Sequence, residues 1–251
     1  MRILWAGNRG GVGVGVRASA LALLLVLGCQ AKAPARFPER IDPAALRARY
    51  GEALYSQDDE ETLIRAFFKD RRNGVFLDVG ASDPVKDSTT CYLERQLGWR
   101  GIAVDALAEY APAYQRERPA TRFFSYFVGE TSGQMRDFFV SPKREFSSGT
   151  GEDPRGGNYE KRQVATIRLD DLLQREKVDH IDFLSLDIEG AEPAALAGFS
   201  IARYRPELVC VEIHSPAHAR ALTEYFTVHA YREIVAYRTM DPVNRYFAPA
   251  P

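Results

Sequence analysis

The sequence predicts an α/β protein built on a mostly parallel sheet. Short apolar runs alternate with helical stretches from residue 44 onward, the pattern of parallel strands joined by crossover helices. Residues 183–192, Phe-Leu-Ser-Leu-Asp-Ile-Glu-Gly-Ala-Glu, form an apolar run that ends abruptly in Asp187, Glu189 and Glu192. A strand this apolar is expected at the centre of a sheet, and open α/β sheets bind ligands at the carboxyl ends of their strands. A small-residue turn, Gly80-Ala81-Ser82, follows an earlier strand, and Asp105 ends the next.

The chain has 251 residues, 45% hydrophobic and 27% charged, which is ordinary for a globular domain and enough for a sizeable core. A formal net charge of −1 gives no electrostatic case for nucleic acid, so the expected partner is a small molecule or a glycan. The cysteines stand at 29, 91 and 210 and match no zinc or disulfide spacing. Cys210 lies inside the apolar run Leu208–Ile213 and reads as a small buried hydrophobe, and Cys91 reads as structural.

From the N-terminus, residues 1–30 look like a secretory signal. Arg2, Arg9 and Arg17 precede the apolar stretch Ala18–Leu27, and Val26-Leu27-Gly28-Cys29 resembles a bacterial lipobox, which would anchor the protein to a membrane through a lipid on Cys29. The apolar run is short for a transmembrane helix, which needs about 20 residues. If the signal is not used, the protein is cytoplasmic. The long leader also suggests that translation starts at Val14 or Val16. Glycines 10, 11, 13 and 15 lack the spacing of a dinucleotide loop. Residues 31–43, rich in Ala and Pro, read as a flexible linker, and residues 44–251 as one catalytic domain.

In that domain, helices are expected at Ala44–Tyr50 and Asp59–Arg71, the second stopped by Asn73-Gly74. Val75–Gly80 is a strand, followed by a helix through Leu97. Gly101–Asp105 is the second strand, Ala108–Arg118 a helix and Arg122–Val128 the third strand. Residues 141–163 have no periodicity and read as a long loop, expected to act as a substrate lid. Leu169–Glu176 is a helix, Ile181–Asp187 the fourth strand, Glu192–Leu196 the start of a helix, Leu208–Ile213 the fifth strand and Ala217–Phe226 a helix. Tyr231–Tyr237 and Arg245–Phe247 are joined too closely for a crossover and should pair antiparallel.

The small residues after the first strand let backbone approach a ligand closely, and an acid ending the second strand can hold both hydroxyls of a ribose. Together they suit a nucleoside-bearing cofactor. Several motifs then resemble the FkbM-type S-adenosylmethionine-dependent methyltransferases. They run from Tyr55-Ser56-Gln57 through Gly74–Ala81, then Leu93-Glu94 with Gly98–Ile102, Thr166–Leu173, Ile181–Gly198, and Pro206–His214 with its Val211-Glu212-Ile213-His214. The resemblance covers about residues 55–247. It implies the class I methyltransferase fold, a Rossmann-like, seven-stranded, mostly parallel sheet with an antiparallel last strand and helices on both faces. It also implies S-adenosyl-L-methionine as methyl donor and a hydroxyl on a sugar, glycan or natural product as acceptor.

Carried over by position, Asp78, Gly80, Ala81, Ser82 and Asp83 belong to the cofactor site, with Asp105 on the ribose. Two departures stand out: Ser82-Asp83-Pro84 replaces a glycine-rich turn, and Asp105-Ala106 replaces Glu-Pro. Methyl transfer to a hydroxyl needs alignment and a proton acceptor. Asp187, Glu189 and His214 are the expected catalytic residues. Glu192 fits equally as a residue favouring its helix N-terminus. So many carboxylates are compatible with a divalent metal, but the resemblance requires none and none is expected. An exported, non-catalytic binding module on the same fold is the alternative function, because a secreted protein does not meet cytosolic cofactor. A carboxylate-rich metal-dependent hydrolase fits the order of motifs less well.

Overall fold

The computed structural model describes residues 37–142, 147, 149 and 159–251. The expected signal, its Cys29 and the linker as far as residue 36 lie outside the described residues, as do most residues of the expected lid. Among the described residues no helix is long and apolar enough to cross a membrane.

Seven strands make the main sheet: β1 (Val75–Val79), β2 (Arg100–Asp105), β3 (Thr121–Ser125), β7 (Phe183–Leu186), β8 (Leu208–Glu212), β9 (Tyr231–Glu233) and β10 (Asn244–Pro249). Their order is β3-β2-β1-β7-β8-β10-β9. Pairs from β3 to β8 are parallel, whereas β10 runs antiparallel to both β8 and β9. The sequence reading of this sheet holds, including its antiparallel last strand.

The alternation of side chains along each strand divides the core in two. Leu77, Val79, Val104, Leu184, Leu186, Val209 and Val211 pack on one face with α5 (Leu169–Arg175), α6 (Glu192–Ala197) and α8 (Pro216–Val228). Phe76, Phe183, Leu208 and Cys210 pack on the other with α2 (Glu60–Phe68), α3 (Cys91–Leu97) and Trp99. Cys91 and Cys210 are both buried and free. Phe37 and Ile41, inside the expected linker, pack partly buried on this second cluster, and the Arg232 guanidinium sits 3.8 Å over the Phe37 ring. The helix α1 (Pro43–Tyr50) begins where the Asp42 carboxylate accepts from the Ala44 and Ala45 amides at 3.0 and 3.2 Å.

Several element boundaries differ from expectation. The second helix ends at Phe68, not Arg71, because Lys69 and Asp70 turn left-handed. The helix expected from Gly80 to Leu97 forms only over Cys91–Leu97, since residues 82–90 are a loop held by side-chain hydrogen bonds. The third strand breaks at Tyr126: β3 stays in the main sheet, while β4 (Phe127–Val128) crosses to a small second sheet. That sheet, ordered β4-β6-β5, was not expected. It comprises β5 (Met135–Val140) and β6 (Glu160–Ile167), paired antiparallel, and residues 160–163 belong to this strand and not to a loop. α4 (Ala111–Glu117) follows a short 3-10 turn, and α7 (Ile201–Tyr204) is a further single turn.

Candidate active site

The carboxyl ends of β2, β1, β7 and β8 open into one cavity of about 780 Å³, within the usual range of ligand pockets, about 300–1,000 Å³. Asp78, Gly80, Ala81, Ser82, Asp83 and Asp105 all line it, as do Asp187, Glu189 and Glu212.

At the β1–β2 corner the backbone is held tightly. The Gly80 and Ala81 amides both donate to the Val104 carbonyl, at 2.8 and 3.1 Å. Gly80 has φ of +83°, and a Cβ there would lie 1.6 Å from the Asp187 carbonyl oxygen, so only glycine fits between the two turns. Ser82 is left-handed at φ 45°, a conformation that costs a non-glycine residue about 1–3 kcal/mol and persists where its surroundings over-determine it. Its amide donates to Asp105 Oδ2 at 3.0 Å and the Leu107 amide to Oδ1 at 2.8 Å. Burial pushes the Asp105 carboxyl up to about 6 although these two amides favour its charge. A carboxylate has about four lone-pair sites, so Asp105 can still accept two hydroxyls. Asp83 Oδ1 accepts from the Val85 and Lys86 amides and shapes the turn. Asp78 accepts from Thr90 Oγ1 at 2.6 Å. Beneath it, Arg118 is fully buried and donates to Glu94, Pro84, Ser88, Thr90 and Thr121, fastening the turn to α3 and β3.

The β7–β8 corner is different. Asp187 follows β7 directly and lines the cavity, surrounded by protein yet accessible to solvent through the cavity mouth. Burial and the neighbouring Glu212, Glu189 and Glu192 raise its proton affinity well above the ordinary range. Glu189 is left-handed at φ 54° and Gly190 follows at 93°. Glu192 is wholly buried in the first turn of α6, and its Oε1 accepts from the Ile188 amide at 2.9 Å, clamping the acid turn. It does more than favour a helix N-terminus. Burial alone would raise the Glu192 carboxyl, but the imidazoles of His214 and His218 and the Ile188 amide hold it down to about 2.

His214 does not line the cavity. It stands behind the acid wall, with Nε2 3.1 Å from Glu212 Oε2 and 3.4 Å from Glu192 Oε1, and Nδ1 3.9 Å from Glu189 Oε2. Glu192 and then Glu212 favour its protonated form against the effect of burial. Glu212 was not among the expected catalytic residues, although its alternation along the strand already put it on the same side as His214. Tyr110, Tyr126, Phe127 and Phe138 also line the cavity unforeseen and offer flat apolar faces.

A sheet in this order, with its ligand cavity over the carboxyl ends and its one antiparallel strand beside the edge, defines a class I methyltransferase fold. A family model described as "Methyltransferase FkbM domain" matches residues 78–237, and the chain belongs to that family. No curated protein matches it. Among solved structures, it is similar to a TehB-like SAM-dependent methyltransferase from Corynebacterium glutamicum, at 12% identity over 82% of this chain and 97% of that one, TM-score 0.43. An O-methyltransferase from Bacillus cereus in complex with SAH aligns at 12% identity over 86% and 84%, TM-score 0.40. A 1,6-didemethyltoxoflavin-N1-methyltransferase from Burkholderia thailandensis aligns at 17% over 82% and 77%, TM-score 0.36. At such low similarity the fold rests on this chain's own strand order.

The residues present fit S-adenosylmethionine, the family's implied cofactor. Asp105 can meet a ribose, the aromatic side chains a purine, and the carboxylates the positive charge of a sulfonium and an amine.

Proposed function

We propose that the protein transfers the methyl group of S-adenosylmethionine to a hydroxyl of a sugar, glycan or natural product. The supporting observation is the single cavity that joins Asp105 at β2 to Asp187, Glu189 and Glu212 at β7 and β8. The cofactor supplies an electrophilic methyl on a sulfonium sulfur. Asp105 holds the ribose hydroxyls, and the Gly80–Ser82 turn brings backbone close to the methionine end. Asp187 and Glu189 accept hydrogen bonds from the acceptor, orient its oxygen and take its proton. His214 is a positioning residue that fixes Glu212 beside Asp187. Carboxylates facing a cavity suit a polyhydroxylated acceptor, each oxygen taking a hydroxyl proton.

Calorimetry of the purified chain with S-adenosylmethionine and its demethylated product should give micromolar binding; absence of both interactions sinks the reading. With labelled cofactor and a panel of glycans and hydroxylated natural products, Asp187→Asn and Glu189→Gln should lower turnover about 10²–10⁴-fold. Full activity in both variants would remove them from the mechanism.

A further inference from the structure

We propose that Glu192, His214 and His218 form a binding site for a divalent first-row transition-metal ion, just behind the acid wall of the cavity. The starting observation is a pair of stranded atoms. Glu192 Oε2 and His218 Nε2 are buried, with their side chains 0% and 8% exposed, and neither has a hydrogen-bond partner among the described residues. They lie 3.1 Å apart, yet out of line for a hydrogen bond.

That arrangement is what two ligands of a common ion show. Ligands about 2.1 Å from one metal, at angles between square and tetrahedral, stand about 3.0–3.4 Å from each other. The observed separations are 3.1 Å from His218 Nε2 to Glu192 Oε2 and 3.4 Å from His214 Nε2 to Glu192 Oε1, so the two imidazoles face the two oxygens of one carboxylate, and one ligand atom from each residue lies within 4.8 Å of the others. Two imidazoles with a carboxylate suit zinc or iron over magnesium or calcium. The scaffold is fixed: Ser215 caps α8 by accepting from the His218 amide at 3.1 Å, which sets His218 in the first turn. Glu189, 3.9 Å from His214 Nδ1, stands where an outer carboxylate orients a metal-bound imidazole.

Loading has two local costs. His214 Nε2, 3.1 Å from Glu212 Oε2, must give up that carboxylate for the ion. The His214 amide points at His218 Nδ1 at 3.3 Å, which favours the proton on Nε2. A metal on Nε2 moves that proton to Nδ1, so the His218 ring must turn away from the amide. In return the ion offsets the repulsion among Asp187, Glu189 and Glu212.

The test is zinc content, which does not depend on the methyltransferase reading. The purified full chain, stripped with chelator and dialysed against zinc chloride, should retain about one equivalent at this site. His218→Asn and Glu192→Gln should each weaken binding by about 100-fold. His180, Asp182 and Glu207 also converge elsewhere on the surface, so the retained zinc must survive His180→Ala. Nitrogen NMR of His218 should report a proton on Nδ1 once zinc is added. A wild-type chain that retains no zinc overturns the proposal, as does zinc lost with His180→Ala, or a His218 that keeps its proton on Nε2.

Discussion

At the β1–β2 corner each carboxylate meets a fixed donor: Asp105 two backbone amides, Asp78 a threonine hydroxyl, Glu94 the buried Arg118. At the β7–β8 corner, on the same sheet edge, Asp187, Glu189, Glu192 and Glu212 crowd together, and the groups beside them are the imidazoles of His214 and His218. The first corner is built to hold a shape, because every charge is matched by a group that cannot move. The second holds charge that its own residues only partly balance, which is what a site for moving a proton needs.

The largest expected effect tests the first corner. Arg118→Met leaves Glu94 buried without its cation and should cost about 3–5 kcal/mol of stability, read by urea unfolding. If it unfolds like wild type, this corner is not the rigid one. Next, Asp187→Asn removes a carboxylate that its neighbours repel. Turnover should fall about 10²–10⁴-fold with the urea midpoint unchanged or raised.

A smaller effect is the pH dependence of cofactor binding. Asp105 has a proton affinity raised from 3.8 to about 6, so its protonated form adds stability below about 3.8 that is lost as pH rises through 6. Ribose binding needs the carboxylate and runs the other way. Affinity for the demethylated cofactor should rise about tenfold from pH 5 to pH 7, following the ionised fraction. Asp105→Asn should be flat over that interval; a slope that persists in the variant would place the titration elsewhere. Smallest is Gly190→Ala. A Cβ there meets nothing within 4 Å, so the cost is that of φ +93° alone, about 1 kcal/mol by thermal unfolding.

The main sheet was legible because buried parallel strands are nearly continuous apolar runs, and Phe76–Val79, Ile102–Val104 and Phe183–Leu186 announce themselves. The second sheet was not. In β6, Glu160 to Gln163 are polar because that half of the strand lies at the surface, where Lys161 pairs with Asp137 and Arg162 with Glu109. In β5 the alternation of Phe138 and Val140 was present but short. Asp187 and Asp105 could be placed from strand ends alone. His214 could not be set behind the wall, since the packing of α8 decides that, and Arg118 gave no signal because an arginine at the end of a helix reads as surface.

The absent side chain at Gly80 has a consequence for how such an enzyme can change. The turn after β1 and the segment after β7 touch chiefly through backbone, Gly80 against the Asp187 carbonyl, with Ile188 the side chain nearest the seam. A mutation that shifts one transmits its displacement to the other, so the donor half and the acceptor half cannot be retuned separately at this seam. Variation in acceptor choice is therefore expected to accumulate at the periphery, in Phe127, Phe138 and their neighbours on the small sheet, while the seam stays fixed.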